Sequence, residues 1–254
     1  MSIRLSSRVR ATILHLGLSF IVAATAAGLV LGLWYPGDYR RLAGGWDLFQ
    51  LIILVDVVLG PALTLMVFDT RKPRSELVRD LGIIALIQAS ALGYGVHAVY
   101  VARPVALAFE IDRFRVVAAV DVREEELSLA PKELGSLSWN GPRLLGTRRP
   151  RTAEEQEDVL NLGFQGYELG QRPSYWQDYE ASREDVLARS RPVPVLLDRY
   201  PLARRDVEQV ASSAGVALDV LRFLPVVARK HVWTALLGPR GDLLGFIPYD
   251  GFVQ

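Results

Sequence analysis

The 254 residues include no cysteine, which excludes disulfides and thiolate chemistry of any kind. Only three histidines are present, His15, His97 and His231. Two fall in long apolar runs and one in a strand-like run, so each reads as a packed or interfacial ring rather than a ligand. The sequence also lacks a G-x-S-x-G elbow, a phosphate-binding glycine loop, and any histidine cluster at metal-ligand spacing. No catalytic residue, metal or cofactor is therefore expected, and the chain does not read as an enzyme. Neither sign of charge prevails: from Arg103 onward 20 basic residues face 22 acidic ones. A nucleic-acid surface normally shows a basic excess, so nucleic acid is not an expected partner. Glu124-Glu125-Glu126 reads as a solvated face. No internal repeat or low-complexity tract is present.

What the sequence does have is uneven hydrophobicity. Half of the residues are hydrophobic, and the first hundred hold three long apolar runs. Ala11–Tyr35 and Leu81–Ala102 carry no formal charge, and Leu48–Phe68 carries only Asp56. Each is long enough to cross a hydrocarbon core of about 30 Å as a helix. A lipid bilayer is thus the first expected partner, with a membrane domain over 1–102 (spans about 11–35, 48–68 and 81–102). A cleaved signal peptide competes for the first run, with Ala24-Thr25-Ala26 as its cleavage site. Apolar sequence continues beyond it through Trp34, and an uncleaved anchor is the better reading. Arg4, Arg8 and Arg10 in the tail and Arg71, Lys72, Arg74 and Arg79 in the second loop place those segments on the cytoplasmic side. The first loop has only Arg40 and Arg41, offset by Asp38 and Asp47. The domain at 103–254 is then expected on the outer side, periplasmic in a bacterium.

Two rows of small residues recur every fourth position, Ala24/Gly28/Gly32 and Ala85/Ala89/Gly93, and such rows let helix backbones approach closely in lipid. They can hold the protein's own three helices together or dock a foreign helix. Trp34, Tyr35, Tyr39 and Trp46 read as an interfacial aromatic belt.

Asp56 is the anomaly of the apolar runs. An ionisable group near mid-bilayer costs at least about 2.5 to 3.5 kcal/mol, and Pro61 cannot donate to the carbonyl of Val57, which opens the helix beside the aspartate. Gln88, Ser90, Tyr94 or His97 on the third helix could supply a polar partner internally. Alternatively, Asp56, Gly60 and Pro61, faced by Gln88, Gly93 and His97, form a polar notch for another protein's membrane helix.

In 103–254, VALAFEID alternates with period two, and FRVVAAV continues as a second strand. Thr152-Ala153-Glu154-Glu155 begins a capping-box pattern for a helix to about Phe164. A short helix is expected around Glu180–Arg189, and another carrying Val207, Val210, Ala211 and Ala214 stops at Gly215. RFLPVVAR, HVWTALL and LLGFIPY read as antiparallel strands, the last two joined by a hairpin at Gly238-Pro239-Arg240-Gly241-Asp242. The expected fold is three N-terminal transmembrane α-helices followed by an α+β periplasmic domain, with a mainly antiparallel sheet and helices on one face.

The stretches WYPGDYRRLAGGWDLFQLIILVDVVLGPALTLMVF, ALGYGVHAVYVARPVALAFEIDRFRVV and GPRLLGTRRP together resemble the TfpX/TfpZ family of type IV pilin accessory proteins. The resemblance covers most of the chain. It implies a bacterial inner-membrane protein that assists a type IV pilin, in stability or in incorporation into pili, often for a cognate pilin. It carries over no catalytic residue. A second copy of the chain and the pilus assembly platform are further partners within this reading. The competing class is a membrane-anchored periplasmic sensor or ligand-binding protein, for which the cytosolic pieces offer little output element.

Overall fold

The computed structural model describes residues 2–253, with side chains described from residue 7. The side chain of Arg4, counted above in the basic tail, lies outside the described residues. The chain divides into two compact units, Met1–Leu33 with Gly45–Val101, and Trp34–Gly44 with Ala102–Gln254.

The first unit contains three helices long and apolar enough to cross a membrane. The first span is α1 (Ser2–Ala27), prolonged by a π-helical stretch Gly28–Trp34. After the short helix α2 (Tyr39–Leu42), which belongs to the other unit, the second span follows as α3 (Gly45–Ile53), a π-helical stretch Leu54–Leu59, and α4 (Gly60–Val67). The third is α5 (Arg74–Val101). Ser19, Ala23, Ala26 and Val30 are the buried side of the first span, and Ile84, Gln88 and Val99 that of the third. The second buries Phe49, Ile52, Asp56, Gly60, Pro61 and Thr64. These sets recur at three- and four-residue steps, as helix faces must. The small-residue rows are not among them. Ala24, Gly28, Gly32, Ala85, Ala89 and Gly93 are all exposed, and a Cβ added at Gly28, Gly32 or Gly93 would meet nothing within 4 Å. Of the two uses open to those rows, packing within the protein's own bundle is thus not the one observed.

The second unit is built on an eight-stranded sheet in the order β4-β3-β1-β2-β6-β7-β8, with β5 pairing β6 off that path. Its strands are β1 (Pro104–Glu110), β2 (Arg113–Ala118), β3 (Arg143–Thr147), β4 (Trp176–Gln177), β5 (Arg191–Pro192), β6 (Arg222–Val227), β7 (Val232–Leu237) and β8 (Leu243–Ile247). The hairpins β1–β2, β6–β7 and β7–β8 are antiparallel, the last turning at Gly241 with φ +80°. However, β1 runs parallel to β3 and β2 parallel to β6. The sheet is therefore mixed rather than mainly antiparallel. Both parallel pairs join strands that are not consecutive in sequence, and a period-two pattern reports a strand's faces but not its neighbours.

Both faces of the sheet are covered, which corrects the expectation of helices on one face. On one side Leu107, Phe109, Phe114, Val116, Leu224 and Leu237 pack with Leu42, Tyr179 and Val186. On the other, Phe223, Leu236 and Ile247 pack under α8 (Val193–Arg199) and α9 (Arg204–Ala214), while Ala106, Ala108 and Val117 meet Leu145 and Trp176. Every residue of β1 is consequently buried. The helix α6 (Ala153–Phe164) starts as expected, Thr152 Oγ1 accepting from Glu155 N at 3.1 Å. The Glu155 carboxylate accepts from Arg151 N rather than Thr152 N. The expected short helix is α7 (Arg183–Arg189), and α9 ends at Gly215 with φ +66°.

The aromatic belt is not where the sequence reading put it. Trp34 is 3% exposed and Tyr35 is fully buried, while Tyr39 packs edge-on against Phe246 with ring centroids 5.4 Å apart. These rings belong to the sheet unit's interior because the segment after the first span folds into it. Burial raises the Asp38 carboxyl above its ordinary value, opposed by the backbone N–H of Phe246 that it accepts and by Arg41. A loop that reads as a surface connection is thereby core and edge cover for β8. Of the belt, Trp46 alone remains largely exposed.

Candidate functional site

The polar cluster of the spans is organised by Pro61. In an α-helix the carbonyl of Val57 would seek the N–H of residue 61, which proline lacks. The π-helical stretch Leu54–Leu59 shifts the register by one residue, so that this carbonyl falls opposite Ala62. The deficit passes to the carbonyl of Asp56, which now falls opposite Pro61. Gln88 on α5 supplies the missing donor: its Nε2 donates to Asp56 O and to Asp56 Oδ1, each at 3.4 Å. Asp56 and Gln88 are both 8% exposed. Among the described residues Asp56 Oδ2 has no hydrogen-bond partner.

Gly60 makes that approach possible. A Cβ there would sit 1.8 Å from Gln88 Nε2 and 2.7 Å from its Cδ. One turn further, Thr64 Oγ1 lies 2.6 Å from His15 Nδ1 of α1. Asp56, Gly60 and Thr64 are spaced by four residues and form one stripe along the second span. Its polar members meet Gln88 from the third helix and His15 from the first.

The structure thus brings together Asp56, Gly60, Pro61 and Gln88 of the expected notch, and it does not bring in Gly93 or His97. Both are exposed on α5, as are Ser90 and Tyr94. His15 and Thr64 were missed as members. The i+4 spacing from Gly60 could have found Thr64, whereas His15 enters only through the packing of the first helix. The stripe is internal to the three helices, whereas the small-residue rows face outward, beside exposed large side chains such as Ile21, Leu86 and Ile87.

In the sheet unit, a cavity of about 320 Å³ is lined by Phe109, Ile111, Val159, Leu160 and Leu169 together with Arg148, Arg149 and Arg189. Ile111 holds φ +55° at the β1–β2 turn, a left-handed conformation that a β-branched residue rarely adopts. No group of three or more His, Asp or Glu side chains able to hold a metal ion occurs among the described residues.

Comparison with known proteins places the chain among relatives along nearly its whole length. Residues 3–44 match the family described as "Fimbrial assembly protein FimB". Over 241 residues, 94% of both chains, the protein is 33% identical to "Fimbrial assembly protein, serogroup I" of Dichelobacter nodosus. It is 32% identical, over the same shares, to the serogroup E1 protein of that organism. A third relative, for serogroups C1 and C2, is 41% identical over 117 residues, 46% of this chain and 89% of its own. No solved structure matches.

Proposed function

The chain belongs to the FimB family of fimbrial assembly proteins, and from that premise we propose that it is a bacterial inner-membrane accessory protein. In this role it binds a type IV pilin and promotes its stability or its incorporation into pili. The kinship supports fimbrial assembly, and the resemblance to pilin accessory proteins supports the narrower client. The amino terminus is cytoplasmic and the sheet unit periplasmic in this reading, which rests on the seven basic residues of the tail and second loop against two in the first loop.

The observation that carries a helix-docking role is the outward orientation of Ala24/Gly28/Gly32 and Ala85/Ala89/Gly93. In lipid, where hydrophobicity does not drive helices together, such smooth stripes admit a neighbouring backbone. A pilin's apolar membrane helix is a fitting occupant. Asp56 then acts indirectly, holding the second and third spans in register through Gln88.

The test is photo-crosslinking in membranes that contain the cognate pilin. A photoreactive residue at Gly28 or Gly93 should capture pilin, and one at Ile84, on the buried side of α5, should not. Absence of pilin adducts at both outward positions refutes the docking mode, and failure of pilin to co-purify at all refutes the client. A ligand-binding role is the second reading, favoured by the cavity beside α6, which lies at the small end of ligand-site volumes.

A further inference from the structure

The sheet unit joins the apolar spans at Trp34, where the first ends, at Gly44, where the second begins, and near Arg103, just beyond the end of the third at Val101; Trp34 and Arg103 share a neighbour. Both residues flank one indole. Trp34 meets Trp139 edge-on with ring centroids 6.0 Å apart, and the Arg103 guanidinium stands 5.8 Å from the centroid of the same ring. Trp139 nevertheless remains 53% exposed. The surface continues through the backbone. The Arg103 carbonyl accepts from Ala119 N at 2.9 Å, the next residue, Val120, is 55% exposed, and Asp121 pairs with Arg229 at 3.0 Å. Arg229 begins the exposed sequence Arg229-Lys230-His231 that links β6 to β7. That turn is closed by Ala228 N donating to His231 O at 2.9 Å. Tyr35, fully buried in the same unit, has its hydroxyl raised by burial, an effect opposed by the positive charges of Arg103 and Arg229.

We infer that this end of the sheet unit is a lipid-seating face. Trp139 and Val120 enter the interfacial layer of the bilayer, and Arg229 and Lys230 meet the phosphates of anionic headgroups. The inference rests on the reading that the three spans cross a membrane. It commits to lipid because of the tether: Trp139 touches the residues by which the chain leaves the first and third of its three spans, and an extended residue reaches no further than about 3.6 Å. The surface chemistry matches, since indoles partition to the interface and basic residues are drawn to anionic lipid. The opposite end of the same strands offers the contrast. The pairing of Pro104 with Ala118 and of Glu110 with Arg113 places Ile111 a strand length away, about 20 Å.

Because the chain has no cysteine, single cysteines can report on each position. The full chain is reconstituted in phosphatidylcholine–phosphatidylglycerol vesicles with an environment-sensitive label at Val120→Cys, His231→Cys, Ile111→Cys or Ile87→Cys, the last on the exposed side of the third span. Spin-labelled lipids serve as quenchers. Labels at 120 and 231 should be quenched by headgroup-level spin labels and the label at 111 should not. Lys230→Gln should shift the seated-to-lifted ratio about fivefold, the worth of one basic residue at an anionic surface, and vesicles of phosphatidylcholine alone should shift it further, because Arg229 loses its attraction as well. Labels at 120 and 231 as unquenched as 111, with 87 still quenched by deep spin labels, would overturn the seating face and leave the spans intact. A label at 87 that escapes deep quenching would overturn the membrane reading, and the inference with it. Quenching indifferent to both lipid charge and Lys230 would also overturn it.

Discussion

Replacing Gly60 with alanine tests the polar stripe most directly, because the cost follows from one distance. The new Cβ would lie 1.8 Å from Gln88 Nε2 and 3.0 Å from its Oε1, so the Gln88 amide must swing away. It takes with it two hydrogen bonds, to the carbonyl and the carboxylate of Asp56. Interhelical hydrogen bonds in membranes average about 0.6 kcal/mol and reach about 1.7, which gives a loss of about 1 to 3 kcal/mol. Alanine's better helix propensity returns up to about 1 kcal/mol. With that return taken in full, the net cost expected for Gly60→Ala is about 0 to 2 kcal/mol. In a Gln88→Ala background neither the clash nor the hydrogen bonds exist, so the same substitution should be neutral or stabilising by up to about 1 kcal/mol. Unfolding the four proteins of this cycle in bicelles, with a denaturing detergent as perturbant, measures the coupling. Equal costs of Gly60→Ala in both backgrounds would refute the argument that glycine is there to admit Gln88.

Asp56→Leu should lower the protein's own level in membranes, because Gln88 Nε2 loses its carboxylate acceptor and keeps only the backbone carbonyl; normal abundance with reduced pilin cross-linking would instead make the aspartate a direct client contact. A reporter active only in the periplasm should be active when fused after Gln254 and silent when inserted near Pro73, and the reverse pattern would invert the topology. Leu42→Ala should destabilise the sheet unit by about 2 to 5 kcal/mol, since Leu42 is fully buried in its core; a change below 1 kcal/mol in thermal unfolding would refute that placement. Glu155, held to about 2 by the bidentate Arg148 guanidinium and by Arg151 N–H, has a folded value below its unfolded one. Its contribution is complete above about pH 4.5 and is lost as pH falls towards 2. The stability difference between wild type and Glu155→Gln should therefore shrink over that window, and a difference independent of pH there would count against the pair.

What could be read from the sequence was local. The Gly238–Asp242 hairpin, the Thr152 cap and the Gly215 stop each depend on a few neighbouring residues, and each is present. The Asp56-Gly60-Pro61 pattern was legible for the same reason, as was the helix opening beside it. The parallel pairings of β1 with β3 and of β2 with β6 were not, because they join strands across intervening chain. The choice of Gln88 over Ser90, Tyr94 and His97 depends on which face of α5 turns inward, and a helix with little difference between its faces does not disclose that. The aromatic residues Trp34, Tyr35 and Tyr39 misled most. An apolar ring beside a span has the same composition whether lipid or a distant sheet covers it.

The folding of Trp34–Gly44 into the sheet unit also constrains how the protein is made. This segment emerges from the ribosome about 200 residues before Phe246, against which Tyr39 packs. Between them two apolar helices must be threaded, and both must cross or neither, since otherwise the two halves of one core would end in different compartments. The core can therefore close only after β8 has been made, by a contact of very long sequence separation, the kind that slows folding most. Until β8 is made, Tyr39 lacks Phe246 and the Trp34–Gly44 segment lacks the strand it covers, so a stalled chain would leave that apolar segment open.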